Sequence, residues 1–530
     1  MLTTERSKLI EGMSDLEKVW DMVVVGGGAT GLGIALDAAS RGYQVLLLEQ
    51  SDFAKGTSSR STKLVHGGVR YLAQGNIPLV REALYERGLL LKNAAHLVKK
   101  ESFIIPNYDW WGGAFYTIGL TIYDILAGKL GFGKTIHINK KEVINRLPNI
   151  QKKGLYGGVV YYDGQFDDSR LAINLAQTCL EHGAIVLNYF KVINLTKNEQ
   201  NKIEGLVGYD VETNKSYQIK GKIIINATGV FVDDLIQMDK PGEAPLVMPS
   251  QGVHIVLDNS FMPGEDALMI PKTEDGRVLF AVPWHDKLVI GTTDTPLNEH
   301  CLEPVALQEE IDFILRTTSQ YLTKAPNRKD VLSVFAGLRP LAATQNGSSK
   351  TKEISRSHKI IISESALITI TGGKWTTYRK MAEDTVDKAI TVGKLEDKPV
   401  KTKNLPIHGC EKKSDWRNHL YVYGTDRMAL LDLVNENKEW GNKLHPLANY
   451  IQAEVIWAVR HEMARTVEDV LARRVRVLFL DARQAIDMAP IVASLIAGQL
   501  QKDKKWENDQ IQSFIALAKS YLLEPYPLPA

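Results

Sequence analysis

The chain has 530 residues, and at about 150 residues per domain this length predicts about three domains. Hydrophobic residues make up 44% and charged residues 24%, as in an ordinary globular protein, and the net charge of +2 gives no reason to expect a nucleic-acid partner. The longest uncharged stretch, Met22–Leu36, is glycine-rich and shorter than the roughly 20 apolar residues of a transmembrane helix. We therefore expect no helix that spans a membrane.

The cysteines and the first residues bear on the cellular compartment. Cys179, Cys301 and Cys410 stand far apart, without a CxxC pair or a Cys/His cluster, so the sequence predicts neither a disulfide framework nor a metal site. Scattered cysteines of this kind are typical of a reducing compartment. The opening MLTTERSKLIEGMSDLEKVWD is charged and has no apolar segment, unlike a secretory signal or a transit peptide. We expect a cytoplasmic protein.

The strongest local pattern is a strand, a helix and a second strand near the start of the chain. Asp21–Val25 is apolar and largely β-branched, as in a short buried strand, and residues 32–41 have apolar positions three and four apart, as in a helix. The second strand, Tyr43–Leu48, is followed by an acid, Glu49. The turn at residues 26–31 reads GGGATG, which is a GxGxxG pattern. Such a unit predicts dinucleotide binding.

Each part of this unit has a physical role toward a dinucleotide. Gly26 permits the tight turn, Gly28 lets a phosphate approach the backbone, and Gly31 lets the helix pack closely on the strand. The positive end of the helix attracts the pyrophosphate. Glu49 can accept hydrogen bonds from both hydroxyls of a ribose. The alternative interpretation, a tight turn without a ligand, accounts for fewer of these features.

Strands and turns dominate the middle of the chain. Residues 185–195 and 205–221 alternate between apolar and polar as antiparallel strands do, and residues 222–226 form a buried strand that ends in Ala227-Thr228-Gly229. Small residues after a strand let the backbone approach a ligand. Residues 245–340 contain several short strands and turns. This pattern predicts a mixed sheet inserted between dinucleotide-binding segments.

The last part of the chain changes in character. Residues 394–403 form a charged linker with a proline, and helical periodicity continues beyond it. The predicted fold is therefore an α/β Rossmann-like dinucleotide-binding fold with an inserted mixed-sheet α+β substrate domain and an all-helical C-terminal domain. The expected boundaries are, within 1–395, about 18–105, 155–240 and 331–395 for the dinucleotide-binding unit and 106–154 and 241–330 for the insert, then 396–530 for the helical domain.

Several long segments, in this order, resemble the signature of FAD-dependent glycerol-3-phosphate dehydrogenases. They are TSSRSTKLVHGGVRYL from Thr57, GTTD from Gly291, GLRPL from Gly337 and GGKWTTYR from Gly372. RHEMART from Arg460, followed by Arg473-Arg474, resembles the extended C-terminal domain of many members. The resemblance implies a quinone-linked enzyme that oxidises sn-glycerol 3-phosphate to dihydroxyacetone phosphate by hydride transfer to FAD.

The resemblance also implies which residues contact FAD. Hydroxyls of the serine-rich segment can face the pyrophosphate, Lys63 can neutralise charge nearby, and Gly67 lets the flavin lie against backbone. The implied cofactor residues are Gly26, Gly28, Ala29, Thr30, Gly31, Glu49, Thr57, Ser58, Ser59, Ser61, Lys63, Leu64, His66, Gly67, Val192, Ala227, Thr228, Gly229, Leu338, Gly373, Lys374, Trp375, Thr376 and Thr377.

A small phosphate monoester as substrate calls for fixed cations, and the arginine fork matches phosphate oxygens. By resemblance, Arg70 and Arg339 lie at the substrate site with Lys374 beside them, while Tyr71 either bonds to substrate or packs. Lys374 and the start of the helix after it would also stabilise negative charge at the flavin N1–C2 carbonyl. A lysine that only caps a turn is the alternative.

Oxidation of an alcohol needs a base for the hydroxyl proton, and histidine suits this role near neutral pH. His254 is mid-strand in the predicted substrate sheet, faces the substrate by resemblance, and is our first candidate. We expect His66 nearer the flavin, with a packing or hydrogen-bonding role, and it is the second candidate. A nearby arginine acting as the base is a third alternative.

Two other functions compete with this interpretation. Related glycerophosphate oxidases pass electrons to oxygen and carry a long extra segment in the middle, whereas here recognisable strands fill the chain from Thr228 to Arg339. A flavin-binding redox sensor without this activity is disfavoured by the joint presence of Arg70, Arg339 and Lys374. We therefore favour the dehydrogenase.

Because quinone is dissolved in lipid, a quinone-reducing enzyme must touch the bilayer. Trp110–Tyr123 is rich in aromatic and aliphatic residues, and it is too short to span a membrane but suited to its interface. Packing in the core is the competing explanation. We expect peripheral association with the cytoplasmic face of the membrane. For the oligomeric state, a monomer and a homodimer are both left as alternatives.

Overall fold

The computed structural model describes residues 4–15, 17–73, 75–109, 112–274, 276–342 and 358–526. Its strands are β1 (Val19–Val25), β2 (Val45–Leu48), β3 (Leu64–Val65), β4 (Val98–Asn107), β5 (Ile136–Asn139), β6 (Gly157–Phe166), β7 (Ile185–Leu187), β8 (Phe190–Lys197), β9 (Ile203–Asp210), β10 (Lys215–Asn226), β11 (Val247–Asp258), β12 (Ala267–Ile270), β13 (Leu279–Trp284), β14 (Lys287–Gly291), β15 (Thr295–Pro296), β16 (Ser333–Ala342), β17 (Lys359–Ile362) and β18 (Ile368–Thr371). Its α-helices are α1 (Arg6–Met13), α2 (Ala29–Arg41), α3 (Val69–Ala73), α4 (Ile77–Asn93), α5 (Gly112–Ala127), α6 (Lys140–Arg146), α7 (Asp168–Glu181), α8 (Val232–Asp239), α9 (Gln308–Tyr321), α10 (Tyr378–Gly393), α11 (Arg427–Glu436), α12 (Gln452–His461), α13 (Val477–Leu480), α14 (Ala482–Leu500) and α15 (Lys504–Lys519).

The first sheet has eight strands and contains the predicted dinucleotide-binding unit. Its order is β17-β18-β10-β1-β2-β7, with β8 and β9 continuing from β10. β1 runs parallel to both β10 and β2, and four consecutive residues at its end are buried. A strand covered on both faces needs such a continuous apolar run, because helices pack on either side of a parallel sheet. The predicted strand–helix–strand unit is thus present.

The turn between β1 and α2 brings backbone segments into close approach. Gly26 has φ +110°, in the left-handed region, and a β-carbon there would lie 2.6 Å from the carbonyl oxygen of Ala227. A β-carbon on Gly31 would lie only 1.8 Å from the carbonyl oxygen of Gly26. Both neighbours are backbone atoms that have no room to yield. Glycine at these positions is therefore what allows α2 to begin directly over the ends of β1 and β10.

The second sheet has ten strands, in the order β15-β11-β14-β13-β12-β4-β6-β3, with β16 paired to β11 and β5 to β6. β11 and β16 are antiparallel over ten residue pairs, among them Ser250 with Arg339 and His254 with Phe335. Directly opposed residues of an antiparallel pair point to the same face, and so do residues two apart. His254 and Arg339 consequently share one face of this sheet.

The C-terminal region, residues 396–526, is helical. Its described residues contain no strand, only an isolated β-bridge between Lys443 and Ile451. A π-helical turn, Asp469–Arg474, lies between α12 and α13. The long helices α14 and α15 pack against each other and bury an apolar core with α12 and α13. Other side chains of the region, such as Leu430 and Trp457, join the core of the first sheet.

The predicted fold class is confirmed: a Rossmann-like unit, a mixed sheet and a helical C-terminal domain are all present. The sheets nevertheless divide the chain at other points than the predicted boundaries. β3, β4, β6 and β16 belong to the second sheet, although the predicted boundaries place β3, β6, β16 and most of β4 in the dinucleotide-binding unit. The chain crosses between the sheets more often than the periodicity indicates, since strands of either sheet have similar patterns.

The close approach at Gly31 leads to a stability prediction. We expect Gly31→Ala to lower the free energy of unfolding by about 1–3 kcal/mol or more, because the added carbon overlaps backbone. Gly498→Ala is the matched control, since Gly498 also lies inside a helix but has nothing within 4 Å of the added carbon. It should stabilise by up to about 1 kcal/mol through helix propensity. Thermal melting of both variants tests this, and equal effects would contradict it.

Candidate active site

One large cavity, of about 470 Å³, is lined by residues from both sheets. On one side it meets the glycine turn and the ends of β1 and β2. On the other side it meets β11, β13 and β16 of the second sheet. The segment after Glu49 and the loop before α10 close the remaining walls. The cavity thus runs from the predicted dinucleotide turn to the shared face of His254 and Arg339.

At the dinucleotide end, the backbone of the turn is already organised. The Glu49 carboxylate accepts hydrogen bonds from the amides of Gly27, at 2.6 Å, and Ser51, at 2.9 Å. Burial raises the pKa of Glu49, although these two amides oppose the shift. The hydroxyl of Ser58 accepts from the Ala29 amide at 2.9 Å, at the start of α2. Glu49 and Ser58 both line the cavity, so each joins the turn to the space where a ligand would lie.

Lys63 has a different environment from the one predicted. Its ammonium is buried and lies 2.7 Å from a carboxylate oxygen of Asp168 and 2.6 Å from the carbonyl oxygen of Ser59. Lys63 does not line the cavity, and neither does Ser59. The Ser61 hydroxyl lines the cavity but donates to Asp168 at 2.7 Å. Lys63 is therefore a structural cation under the serine-rich segment, with its charge neutralised by Asp168 and not by a pyrophosphate.

His254 lies in the cavity wall and is 2% exposed. The ring stacks on Phe335 with centroids 4.9 Å apart, and Nε2 lies 2.9 Å from the hydroxyl oxygen of Thr62. Burial, and after it the positive charges of Arg339 and Lys63, hold the pKa of His254 well below its ordinary value of 6.5. The imidazole is consequently neutral around pH 7, which is the form that can accept a proton.

Arg339 is held in place by two side chains on the same wall. Its guanidinium donates to the hydroxyl of Thr292 at 2.8 Å and lies 3.4 Å from a carboxylate oxygen of Asp294. A β-carbon on Gly252 would lie 2.2 Å from a guanidinium nitrogen, so the glycine makes the space that Arg339 occupies. About a fifth of the side chain is exposed, which leaves it accessible from the cavity.

Lys374 places a second positive charge in the cavity wall, beside Tyr71. The Lys374 ammonium lies 4.0 Å from the centre of the Tyr71 ring, a cation–π contact. Nearby, the His66 amide donates to the Thr376 hydroxyl at 3.1 Å, and the Gly67 amide donates to the Tyr123 hydroxyl at 2.7 Å. These bonds tie the segment before α3 to the loop before α10 and to α5. The loop that carries Lys374 is thereby fixed at the cavity wall.

The structure brings most of the predicted site residues to this one cavity. Those that line it are Gly26, Gly28, Ala29, Thr30, Glu49, Thr57, Ser58, Ser61, Leu64, His66, Tyr71, Val192, Ala227, Thr228, Gly229, His254, Arg339, Gly373, Lys374, Trp375 and Thr376. Five others besides Lys63 lie behind the lining, namely Gly31, Ser59, Gly67, Leu338 and Thr377. The side chain of Arg70 lies outside the described residues.

Sequence reasoning missed several residues of the cavity wall. Thr62 contacts His254, and Thr292 and Asp294 hold Arg339, although two of these stand inside the GTTD motif. Arg277 is a further cation of the lining, in the turn before β13. In the sequence, Asp-Gly-Arg is typical of an exposed turn. Only the position of Arg277 beside the cavity distinguishes it from a surface charge. The GTTD motif was the available signal for the residues around Arg339.

The residues present fit FAD at the turn between β1 and α2. The 13-residue helix α2 begins at the cavity, and its first amide, that of Ala29, donates to the Ser58 hydroxyl, which also lines the cavity. A β-carbon on Gly28 would lie 3.0 Å from the Ser58 hydroxyl, so glycine keeps that approach open. Glu49 stands at the end of β2, where a ribose would be recognised. The donor set is thus that of a dinucleotide site.

Comparisons with known proteins agree with this geometry. The family described as "FAD dependent oxidoreductase" matches residues 21–379, and "C-terminal domain of alpha-glycerophosphate oxidase" matches residues 364–507. The mitochondrial glycerol-3-phosphate dehydrogenase of Homo sapiens is 38% identical over 531 residues, covering 93% of this chain and 72% of that protein. That of Schizosaccharomyces pombe is 36% identical, covering 98% of this chain and 89% of that protein.

A solved structure extends the likeness to the whole fold. The glycerol-3-phosphate dehydrogenase from Bacillus halodurans, complexed with FAD, superposes with a TM-score of 0.81 at 29% identity, and the match covers 99% of each chain. A glycerophosphate oxidase from Mycoplasma pneumoniae shares the fold over 73% of this chain, with a TM-score of 0.52 at 16% identity. The cofactor is FAD, and the chain belongs to the family of FAD-dependent glycerol-3-phosphate dehydrogenases.

Proposed function

We propose that this protein oxidises sn-glycerol 3-phosphate to dihydroxyacetone phosphate and passes the electrons to a membrane quinone. The observation that carries the proposal is the arrangement of the cavity, which joins a dinucleotide turn to a wall holding His254 and Arg339. The names of the family members support the substrate. The chemistry requires a phosphate site, a base and a hydride acceptor in one enclosure, and the presence of Arg339, His254 and a turn that fits FAD in one cavity supports the proposal.

In this proposal the residues of the second sheet bind and orient the substrate. Arg339, fixed by Thr292 and Asp294, presents its guanidinium to the phosphate, and Lys374 supplies a second positive charge. His254 accepts the proton of the C2 hydroxyl, with Thr62 orienting the ring through Nε2. FAD, when bound, supplies the acceptor for the C2 hydride. His66, which lines the cavity beside Thr376, is the alternative base.

The electron acceptor is the part that distinguishes a dehydrogenase from an oxidase. Anaerobic addition of sn-glycerol 3-phosphate to the purified yellow protein should bleach the flavin absorbance and form dihydroxyacetone phosphate. Glycerol without phosphate, the control, should leave the flavin oxidised. A soluble quinone analogue should then restore the absorbance rapidly and air only slowly. Rapid stoichiometric hydrogen peroxide in air would identify an oxidase, and a flavin that stays oxidised would refute the proposed substrate.

Kinetics of two variants test the assigned residues. Arg339→Ala should raise KM about 10- to 150-fold, because a charge-assisted hydrogen bond to phosphate contributes about 1.5–3 kcal/mol.

His254→Ala should lower kcat about 10²- to 10⁴-fold, the usual contribution of a general base. In the unaltered enzyme the acidic fall in kcat/KM should lie below pH 6.5, because the pKa of His254 is lowered.

The sign of this pH dependence follows from the protonation state: the neutral imidazole is the active form, so activity is lost as pH falls through its pKa and is retained above it. His358→Ala is the matched control, since His358 pairs with Asp384 and does not line the cavity. It should keep the rate and the profile of the unaltered enzyme. A near-normal rate in His254→Ala would transfer the role of base to His66 or to an arginine.

We further propose that α5 lies on the cytoplasmic surface of the membrane. No helix among the described residues is long and apolar enough to cross a bilayer. Ile118, Ile122 and Ile125 stand on one exposed stripe of α5, with Ile118 64% and Ile125 72% exposed, while Leu120 and Tyr123 are buried on the other face. The helix thus has both an apolar outer face and a core-packed inner face. Trp110 and Trp111 lie outside the described residues.

A vesicle experiment tests this surface. The double variant Ile118→Asp/Ile125→Asp should float with phospholipid vesicles much less than the unaltered protein, because two exposed apolar side chains that would enter the lipid are replaced by charged ones. Its rate with a lipid-dissolved quinone should fall, whereas its rate with a soluble acceptor should not. Leu447→Asp is the control, since Leu447 is an exposed leucine of the C-terminal domain. If all three proteins float equally well, the proposed membrane contact of α5 is refuted.

A further inference from the structure

A buried cluster of charges joins the C-terminal domain to the wall of the cofactor cavity. Asp52 comes from the segment after β2, and Glu468, Asp469, Arg473 and Arg474 come from the π-helical turn and the residue before it. Asp52, Asp469 and Arg474 have fully buried side chains, and that of Arg473 is 2% exposed. Each arginine is paired with carboxylates, which is the condition for burying charge at tolerable cost.

Asp52 is the point where both arginines meet. One carboxylate oxygen accepts hydrogen bonds from the Arg473 Nε at 2.5 Å and from the Arg474 guanidinium. The other oxygen accepts from Arg474 at 3.0 Å and from the side-chain amide of Asn188 at 3.3 Å. Burial alone would raise the pKa of Asp52, but the charges of Arg474 and Arg473 outweigh it and lower the pKa. The carboxylate is therefore ionised and fixed from several directions.

The backbone around Asp52 forms part of the cofactor cavity. The residues that line the cavity within the segment 50–58 are Gln50, Ala54, Lys55, Gly56, Thr57 and Ser58. The Ala54 amide donates to the carbonyl oxygen of Gly27 at 3.0 Å, inside the glycine turn. Ala54 itself has φ +60°, which an L-residue adopts only where its surroundings impose it. The fixed position of Asp52 thus bears directly on the shape of the turn that meets the dinucleotide.

The π-helical turn and the residue before it, Glu468, hold this segment at two further points. Glu468 bridges the Lys55 ammonium and the Arg473 guanidinium, both at 2.7 Å. Asp469 accepts from Arg473 at 2.8 Å and from the Tyr189 hydroxyl at 2.6 Å. The Tyr189 amide in turn donates to the carbonyl oxygen of Ser51 at 2.8 Å. Single-turn π-helices are frequent at functional sites, and this one presents successive arginines toward one loop.

We propose that Arg473 and Arg474 are positioning residues of the FAD site. Through Asp52 and Glu468 they hold the segment 50–58 in the conformation that receives the cofactor. The C-terminal domain is then a component of the cofactor site, and FAD is retained tightly only while that domain is docked. The inference rests on FAD as the cofactor and is independent of the substrate or the electron acceptor.

The test measures FAD affinity in the full-length protein without turnover. FAD is removed, and the Kd is obtained by titrating FAD and following the quenching of its fluorescence. Glu468→Gln and Arg473→Lys should each raise the Kd about tenfold or more, since each removes a hydrogen bond between charged groups. Arg473→Met should raise it further than Arg473→Lys, because the lysine retains the charge. Glu468 is partly exposed, so Glu468→Gln provides a variant expected to fold.

A matched control separates positioning from general loss of stability. Arg41 pairs with Asp37 at 2.6 Å and is equally buried, but this pair lies in the last turns of α2, and neither residue lines the cavity or contacts segment 50–58. Arg41→Lys should lower the melting temperature of the FAD-free protein at least as much as Arg473→Lys, yet leave the Kd within about twofold. The proposal is overturned if the Kd follows the melting temperature in all variants, or if Glu468→Gln and Arg473→Lys leave it unchanged.

Discussion

Buried ion pairs anchor the loops that wall the cavity. Lys63 with Asp168 lies under the serine-rich segment, and Asp52 with Arg473 and Arg474 lies behind the segment after β2. Loops lack the ladder bonds of a sheet, so their shape depends on side chains that fix them from behind. A charge pair in a low-dielectric interior is directional and loses much stability when one partner is removed. These pairs therefore make the position of each loop definite, and the cavity depends on that.

Buried ion pairs also fix the segments that form the other walls of the cavity. Arg87 pairs with Asp163, which also accepts from the Tyr123 hydroxyl, and Tyr123 holds the Gly67 amide beside the cavity. Arg379 pairs with Glu86 just after the loop that carries Lys374. Arg339, beside Asp294, and Lys374 are among the cations that line the cavity itself. An anionic substrate would meet those groups, and His254 would stay neutral beside them.

Helix α5 connects this interior to the surface. Its inner face contributes Tyr123, which bonds to the Gly67 backbone, while its outer face presents Ile118, Ile122 and Ile125. The inner face agrees with the core packing that the sequence offered for this segment, and the outer face is the surface for which we propose a membrane contact. A helix placed in this way would bring the flavin side of the cavity near the lipid, where a quinone is dissolved.

The sequence by itself determined the local features of this protein. The GxGxxG turn, the acid at Glu49 and the strands around them were predictable, because periodicity and glycine act within a few residues of each other. Long motifs likewise indicated FAD and the wall that contains His254 and Arg339. Only the tertiary structure decided that Lys63 faces Asp168 and that the C-terminal arginines reach Asp52. A charged residue in a loop has the same sequence pattern whether its partner is a ligand or a carboxylate far along the chain, and packing alone selects between them.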